Sequence, residues 1–180
     1  GSDPLDPNSV ANAAPHSLEL NGSTVLENQP IGSLVGQLIG HDPDGNSTLT
    51  YSFVDGNGSG DNSLFVIDEN ASVRTTTMFD YETDDHNYSI RVGVADEHNF
   101  SIERSFTINL LNIVEDHDQD GVEDHYDPDD DNDGFSDLDE LAYGADPLDS
   151  KSVANAAPDS LELNGSTVLE NQPIGSLVGQ

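Results

Sequence analysis

More than half of the stretch from Asp116 to Glu140, "DHDQDGVEDHYDPDDDNDGFSDLDE", is acidic, and none of it is lysine or arginine. Carboxylates about 6 Å apart repel by roughly 0.7 kcal/mol per pair even at the dielectric of water. Such a segment stays expanded unless cations are built into it. Its spacing shows where they go. Asp116, Asp118 and Asp120 precede Gly121, Asp124 and Asp127; Asp129, Asp131 and Asp133 precede Gly134, Asp137 and Glu140. Both are DxDxDGxxDxx(D/E) loops. Acids at positions 1, 3 and 5 reach one centre, glycine at 6 permits the sharp turn, and position 7, here Val122 or Phe135, offers a carbonyl. The acid at 12 closes the shell, and Ca2+, which takes about six to eight oxygens, is the expected ion. After the second loop, "DLDELAY" (137–143) reads as one or two helical turns stopped at Gly144, with Pro147 preventing continuation.

Across the chain 36 acidic residues face four basic ones, Arg74, Arg91, Arg104 and Lys151. That imbalance excludes nucleic acid and anionic membrane surfaces as partners. There is no cysteine, hence neither a disulfide framework nor a thiolate metal site. No apolar run approaches the roughly 20 residues of a membrane span, and no signal peptide opens the chain. The sequence therefore reads as an excised piece of something larger. An internal repeat points the same way: Asp3 to Gln37 returns almost unchanged as Asp146 to Gln180. The expected architecture is one repeat plus the opening of the next from a tandem array, whose partners are neighbouring repeats of the same protein.

Residues 16 to about 115 read as about seven short strands separated by turn signals such as "DPDGN" and "DGNGSGDN". In "YSIRVGVAD" the residues Tyr88, Ile90, Val92 and Val94 share one face, as do Tyr51 and Phe53 in "LTYSFV". "FSIERSFTINL" does the same through Phe100, Ile102, Phe106, Ile108 and Leu110 if the phase slips once near Arg104. Period-two alternation with one apolar face means half-buried antiparallel strands, and this number of them predicts an all-β Greek-key sandwich of immunoglobulin-like type.

The stretches "VLENQPIGSLV", "GHDPDGN", "FDYE", "VADEH" and "NIVED" occur in the order of the calcium motifs of cadherin domains. The block from about 16 to 116 resembles a prokaryotic cadherin-like domain. The resemblance implies that Glu27, Asp80, Glu82, Asn112 and Glu115 gather as calcium ligands at one pole, and that Asp42, Asp44 and Asp96 lie at the other, completing a site with the preceding module. Val114 stands where the family usually has a linker asparagine, and no proline follows Glu115. Because the residues before Asp129 form another loop rather than a helix, the tandem loops resemble thrombospondin type 3 repeats instead of an EF-hand.

The six histidines lack metal-ligand spacing, and no phosphate loop, nucleophile elbow or Ser/His/Asp set is found. No enzyme is expected; calcium-triggered cleavage at an Asp-Pro bond such as Asp127-Pro128 is the weaker alternative. Seven of 16 asparagines begin an N-x-(S/T) sequon, more than composition predicts, which favours an N-glycosylating source. The sequence thus reads as the end of a preceding connector (1–15), a cadherin-like sandwich (16–115), a calcium-wrapped connector (116–158) and the opening strands of the next sandwich (159–180). The expected function is a calcium-stiffened spacer of an extracellular or cell-surface adhesin or fibre, with glycan or cell-cell ligand binding as the alternative. Strands 159–180 can also replace residues 16–37 of another copy, giving a head-to-tail homopolymer.

Overall fold

The computed structural model describes residues 11–152 together with Asn171 and Ile174. Residues 1–10 of the connector end expected at 1–15, residues 153–158 of the connector expected at 116–158 and, apart from those two residues, the opening strands expected at 159–180 lie outside the described residues. The chain divides into two compact units with their boundary between Ile113 and Val114.

The first unit is a sandwich of eight strands: β1 (Ser17–Asn21), β2 (Thr24–Leu26), β3 (Leu34–His41), β4 (Thr50–Phe53), β5 (Phe65–Ile67), β6 (Ser72–Thr75), β7 (Asn87–Ala95) and β8 (Ser101–Leu111). One sheet has the order β1-β3-β6-β5 and the other β2-β8-β7-β4. Within them only β2 and β8 run parallel among the described pairs. The count exceeds the expected seven because the first strand changes sheets part-way, β1 serving one sheet and β2 the other. Gly22 makes that crossing. It has φ 102°, and a Cβ there would stand 2.7 Å from the carbonyl oxygen of Val35. A Cβ on Gly36 would run into the carbonyl oxygen of Gly22 in turn. Two glycines thus let the corner press against the backbone of β3.

The core follows from the strand alternation. Ile90, Val92 and Val94 have no exposed surface, Tyr88 is 4% exposed, and Tyr51 and Phe53 are partly buried against them. In β8 the register to β7 is unbroken from Asn87↔Asn109 to Ala95↔Ser101, so the phase slip expected near Arg104 does not occur. Arg104 simply takes an apolar-face position between Ile102 and Phe106. It does so by reaching past the core: its Nη1 donates to the carbonyl of Leu18 at 2.9 Å, and its guanidinium carbon lies 5.3 Å from the centre of the Phe106 ring. Phe100 falls just before β8 and is half exposed.

The second unit, among its described residues, is made of turns and one helix, α1 (Asp137–Tyr143). Ser136 caps it by accepting the N–H of Asp139, and Gly144 ends it in the left-handed region at φ 76°. That is the helix expected from "DLDELAY" and its glycine. Its single buried residue is Glu140.

Replacing Gly22 by alanine combines backbone strain with a clash against Val35 and should destabilise the sandwich by about 2 kcal/mol. Urea denaturation followed by a probe in the first unit would measure it.

Candidate metal centres

The two acidic loops of the second unit fold alike. In the first, the N–H of Gly121 donates to Asp116 Oδ2, that of Asp120 to Asp118 Oδ1, that of Val122 to Asp120 Oδ1 and that of His117 to Asp124 Oδ1. In the second, Gly134 donates to Asp129 Oδ2, Asp133 to Asp131 Oδ1, Phe135 to Asp133 Oδ1 and Asp130 to Asp137 Oδ1. Each of these bonds in the first loop has its counterpart in the second. The left-handed residues match as well, Gln119 with Asn132 and Gly121 with Gly134. Asp116, Asp118, Asp131 and Asp133 each engage one oxygen with a loop amide and leave the other without a partner, whereas Asp129 accepts through both, Oδ2 from Gly134 and Oδ1 from Asp133. Oxygens of Asp116, Asp118 and Asp120 lie within 4.8 Å of one another, and so do those of Asp129, Asp131 and Asp133.

Several oxygens of the two loops have no internal partner. Asp116 Oδ1, Asp118 Oδ2, Asp131 Oδ2, Asp133 Oδ2 and both oxygens of Glu140 are buried without a hydrogen bond. Glu140 is entirely buried. Desolvation pushes its carboxyl above the usual glutamate range, and the charges of Asp131, Asp133, Asp129 and Asp137 push it further. Burial likewise raises Asp131. An unpaired buried carboxylate is costly, and a set of carboxylate oxygens without sulfur or imidazole suits a hard cation such as calcium or magnesium. Spacing alone passes over Asp130, a filler position of the second loop. Its Oδ1 is also buried and unpartnered, and burial, then Asp137, Asp124 and Asp127, raise it to about 6. The run "DDD" at 129–131 is the one sequence cue to it.

In the sandwich, Glu27 follows β2 and is fully buried. Its Oε2 accepts the N–H of Tyr81 and its Oε1 that of Ile113, each at 2.6 Å, while its own N–H donates to the carbonyl of Leu111. One side chain thereby joins the β2 end, the loop before β7 and the β8 end. An oxygen of Glu82 comes within 4.8 Å of one of Glu27, and Asn112 Nδ2 donates to Glu82 Oε1 at 3.0 Å. Asp80 is turned differently: its Oδ1 accepts the amides of Glu82 and Thr83, and hydrogen bonding led by the Thr83 side chain holds it below the usual range. Glu115 belongs to the second unit, where its carbonyl accepts the N–H of Asp124 at 2.7 Å.

At the other pole, Asp96 is 3% exposed. Burial would raise it, but the amide of Asn12 at 2.7 Å and the N–H groups of Phe100 and His98 hold it below the usual range. The N–H of Ala13 donates to Asp44 Oδ2 at 2.7 Å, and Asp42 Oδ1 accepts the N–H of Asp44 while its Oδ2 is buried without a partner. The segment Asn12–Ala13 thus brings Asp96 and Asp44 together, though with Asp42 they form no carboxylate trio within 4.8 Å. Asn12 is a polar-site residue that sequence spacing misses, its partner being 84 residues away.

These shifts have opposite signs in the two units. In chelator, Asp130 and its raised neighbours hold protons when folded that they release when unfolded. The second unit should therefore gain protection as pH falls from about 6 toward 3.8. In the first unit Asp68, held at about 2 by Arg74, lends stability that is present above 3.8 and is lost as pH falls through about 2. Residue-resolved amide exchange of the metal-free protein, corrected for intrinsic rates, checks both slopes.

The cadherin domain model matches residues 22–111, half of the chain. Among solved structures, human protocadherin-24 EC1-2 is 24% identical over 56% of this chain and 44% of that one, with a TM-score of 0.44. Mouse clustered PcdhgC3 EC1-3 is 23% identical over 57% and 36%, with a TM-score of 0.45. Protocadherin gamma B2 extracellular cadherin domains 1–5 are 22% identical over 59% and 20%, with a TM-score of 0.47. The chain thus spans less than half the length of each of these structures. No curated protein sequence matches it. Cadherin domains are extracellular adhesion repeats that bind calcium as a class, and the acidic clusters here are compatible with that ion. No described helix is long and apolar enough to cross a membrane. With its two-sheet sandwich and a domain model covering residues 22–111, the chain belongs to the cadherin family.

Proposed function

We propose that this chain is a structural repeat of an extracellular adhesin or surface fibre, in which bound calcium converts a jointed string of modules into a rod-like spacer. The observation that carries the reading is Glu140, a carboxylate with no exposed surface and no partner on either oxygen, set among Asp129, Asp131 and Asp133. Desolvating that many charges is unfavourable unless a cation replaces the lost water.

The proposed ligands of the tandem loops are Asp116, Asp118, Asp120, the Val122 carbonyl, Asp124 and Asp127, then Asp129, Asp131, Asp133, the Phe135 carbonyl, Asp137 and Glu140. Such loops wrap their ions with little apolar core, as thrombospondin type 3 repeats do. In the sandwich the proposed ligands are Glu27, Asp80, Glu82 and Asn112, with Glu115 from the family pattern, and Asp42, Asp44 and Asp96 joined by Asn12 at the other pole. Return of the opening sequence from Asp146 onward sets such sites at regular intervals along the array. The repeated ends, 16–37 and 159–180, also support end-to-end exchange between copies.

Ions that bind only the folded state stabilise it by mass action. Excess EDTA at neutral pH should therefore abolish amide protection over residues 116–143 first and leave the sandwich weakened but folded. Unchanged exchange there would sink the calcium reading. Small-angle scattering on a two-repeat protein tests the mechanical part: the expected result is a longer maximum dimension with calcium than with EDTA, and equal lengths would remove the rod.

A further inference from the structure

The two loops share a backbone frame but not a cation shell. The twelfth position differs most. Glu140 is wholly buried with both oxygens unpartnered. Asp127 is one methylene shorter and only half buried, and its Oδ1 already accepts the N–H of Asp129 at 3.0 Å, the first residue of the second loop. The fifth position differs too, Asp120 being exposed and Asp133 half buried. At its ligand positions the second loop offers four buried oxygens without partners, from Asp131, Asp133 and Glu140, besides Oδ1 of Asp130 at a filler position, whereas the first offers two, from Asp116 and Asp118.

We infer that the two loops are unequal cation sites that fill in order, the 129–140 loop first and the 116–127 loop second. The inference rests on the calcium reading above and specifies how calcium acts there. Affinity in loops of this kind rises with the number of charged ligands and the rigidity of the site. A glutamate that places both oxygens on one ion replaces two waters, whereas a short aspartate with one oxygen engaged leaves water in the shell. The Asp127–Asp129 hydrogen bond also sets the sequence of events. An ion in the second loop fixes Asp129, and Asp129 holds the carboxylate that closes the first loop. The first loop is thereby preorganised only after the second is filled. The helix adds to the asymmetry, since α1 presents Glu140 from a capped turn while no described helix follows the first loop.

The amides of Gly121 and Gly134 each donate to the first carboxylate of their own loop, so their resonances report the loops separately. In a calcium titration of the full chain followed by NMR, Gly134 should shift with a midpoint at least about tenfold below that of Gly121. Glu140→Gln should raise the Gly134 midpoint by about tenfold or more, and Asp127→Glu should lower the Gly121 midpoint while leaving that of Gly134 in place. Coincident midpoints, Gly121 responding first, or a Gly134 midpoint untouched by Glu140→Gln would overturn the inference. A chain in which neither glycine responds would overturn the calcium reading itself, a result distinct from two loops that respond together.

Discussion

Mutual repulsion of carboxylates is the constraint on which the rest of this structure depends. The sandwich tolerates its acids because most of the buried ones are answered from within the chain, Oδ2 of Asp42 excepted: Glu27 by two backbone N–H groups, Asp96 by Asn12 and two more, Asp68 by Arg74. The second unit answers its carboxylates unevenly, Asp129 on both oxygens, Asp116, Asp118, Asp131 and Asp133 on one, and Glu140 on neither. In those four aspartates one oxygen closes a turn and the other is buried without a partner. Four basic residues cannot neutralise 36 acids, and three of the four lie in the sandwich, so the shortfall falls on the second unit.

That division separates two ways of holding a chain together. The sandwich has an apolar core built by strand alternation, from Leu18 through Ile90 to Leu110, and hydrophobic burial at about 25 cal/mol per Å² stabilises it whatever the ionic conditions. The second unit buries no large apolar side chain among its described residues. Its order is a matter of turn geometry repeated from one loop to the next, and such geometry lacks a driving force of its own. The cadherin sandwich is thus held by an apolar core, and the loops have turn geometry in its place.

How much of this is legible in the sequence depends on the range of the interaction. The loops are readable because glycine at position 6, acids at odd positions and the capped helix are all local, and their geometry is set within a few residues. The face of β7 is readable for the same reason. The two poles do not follow from spacing. Glu27 meets Ile113 across 86 residues and Asn12 meets Asp96 across 84, and only the family resemblance points near them; even that resemblance does not reach Asn12. Arg104 misleads because a charged residue on an apolar face looks like a break in phase. Positions 102, 104 and 106 have one parity, and a long side chain can carry its charge out to the carbonyl of Leu18. Asp130 is hidden by its surroundings, one acid among many.

Helix α1 is built inside out. Its buried residue is the charged Glu140, while Leu138, Leu141 and Tyr143 are 80%, 65% and 55% exposed. So short a helix does not persist alone in water, and none of the apolar residues anchors it. What ties the element to the loop before it is polar throughout: Asp137 donates its N–H to the carbonyl of Pro128 and accepts that of Asp130 through Oδ1, while Glu140 is buried among Asp129, Asp131 and Asp133, so three large apolar side chains are displayed on a helix that polar groups alone hold in place.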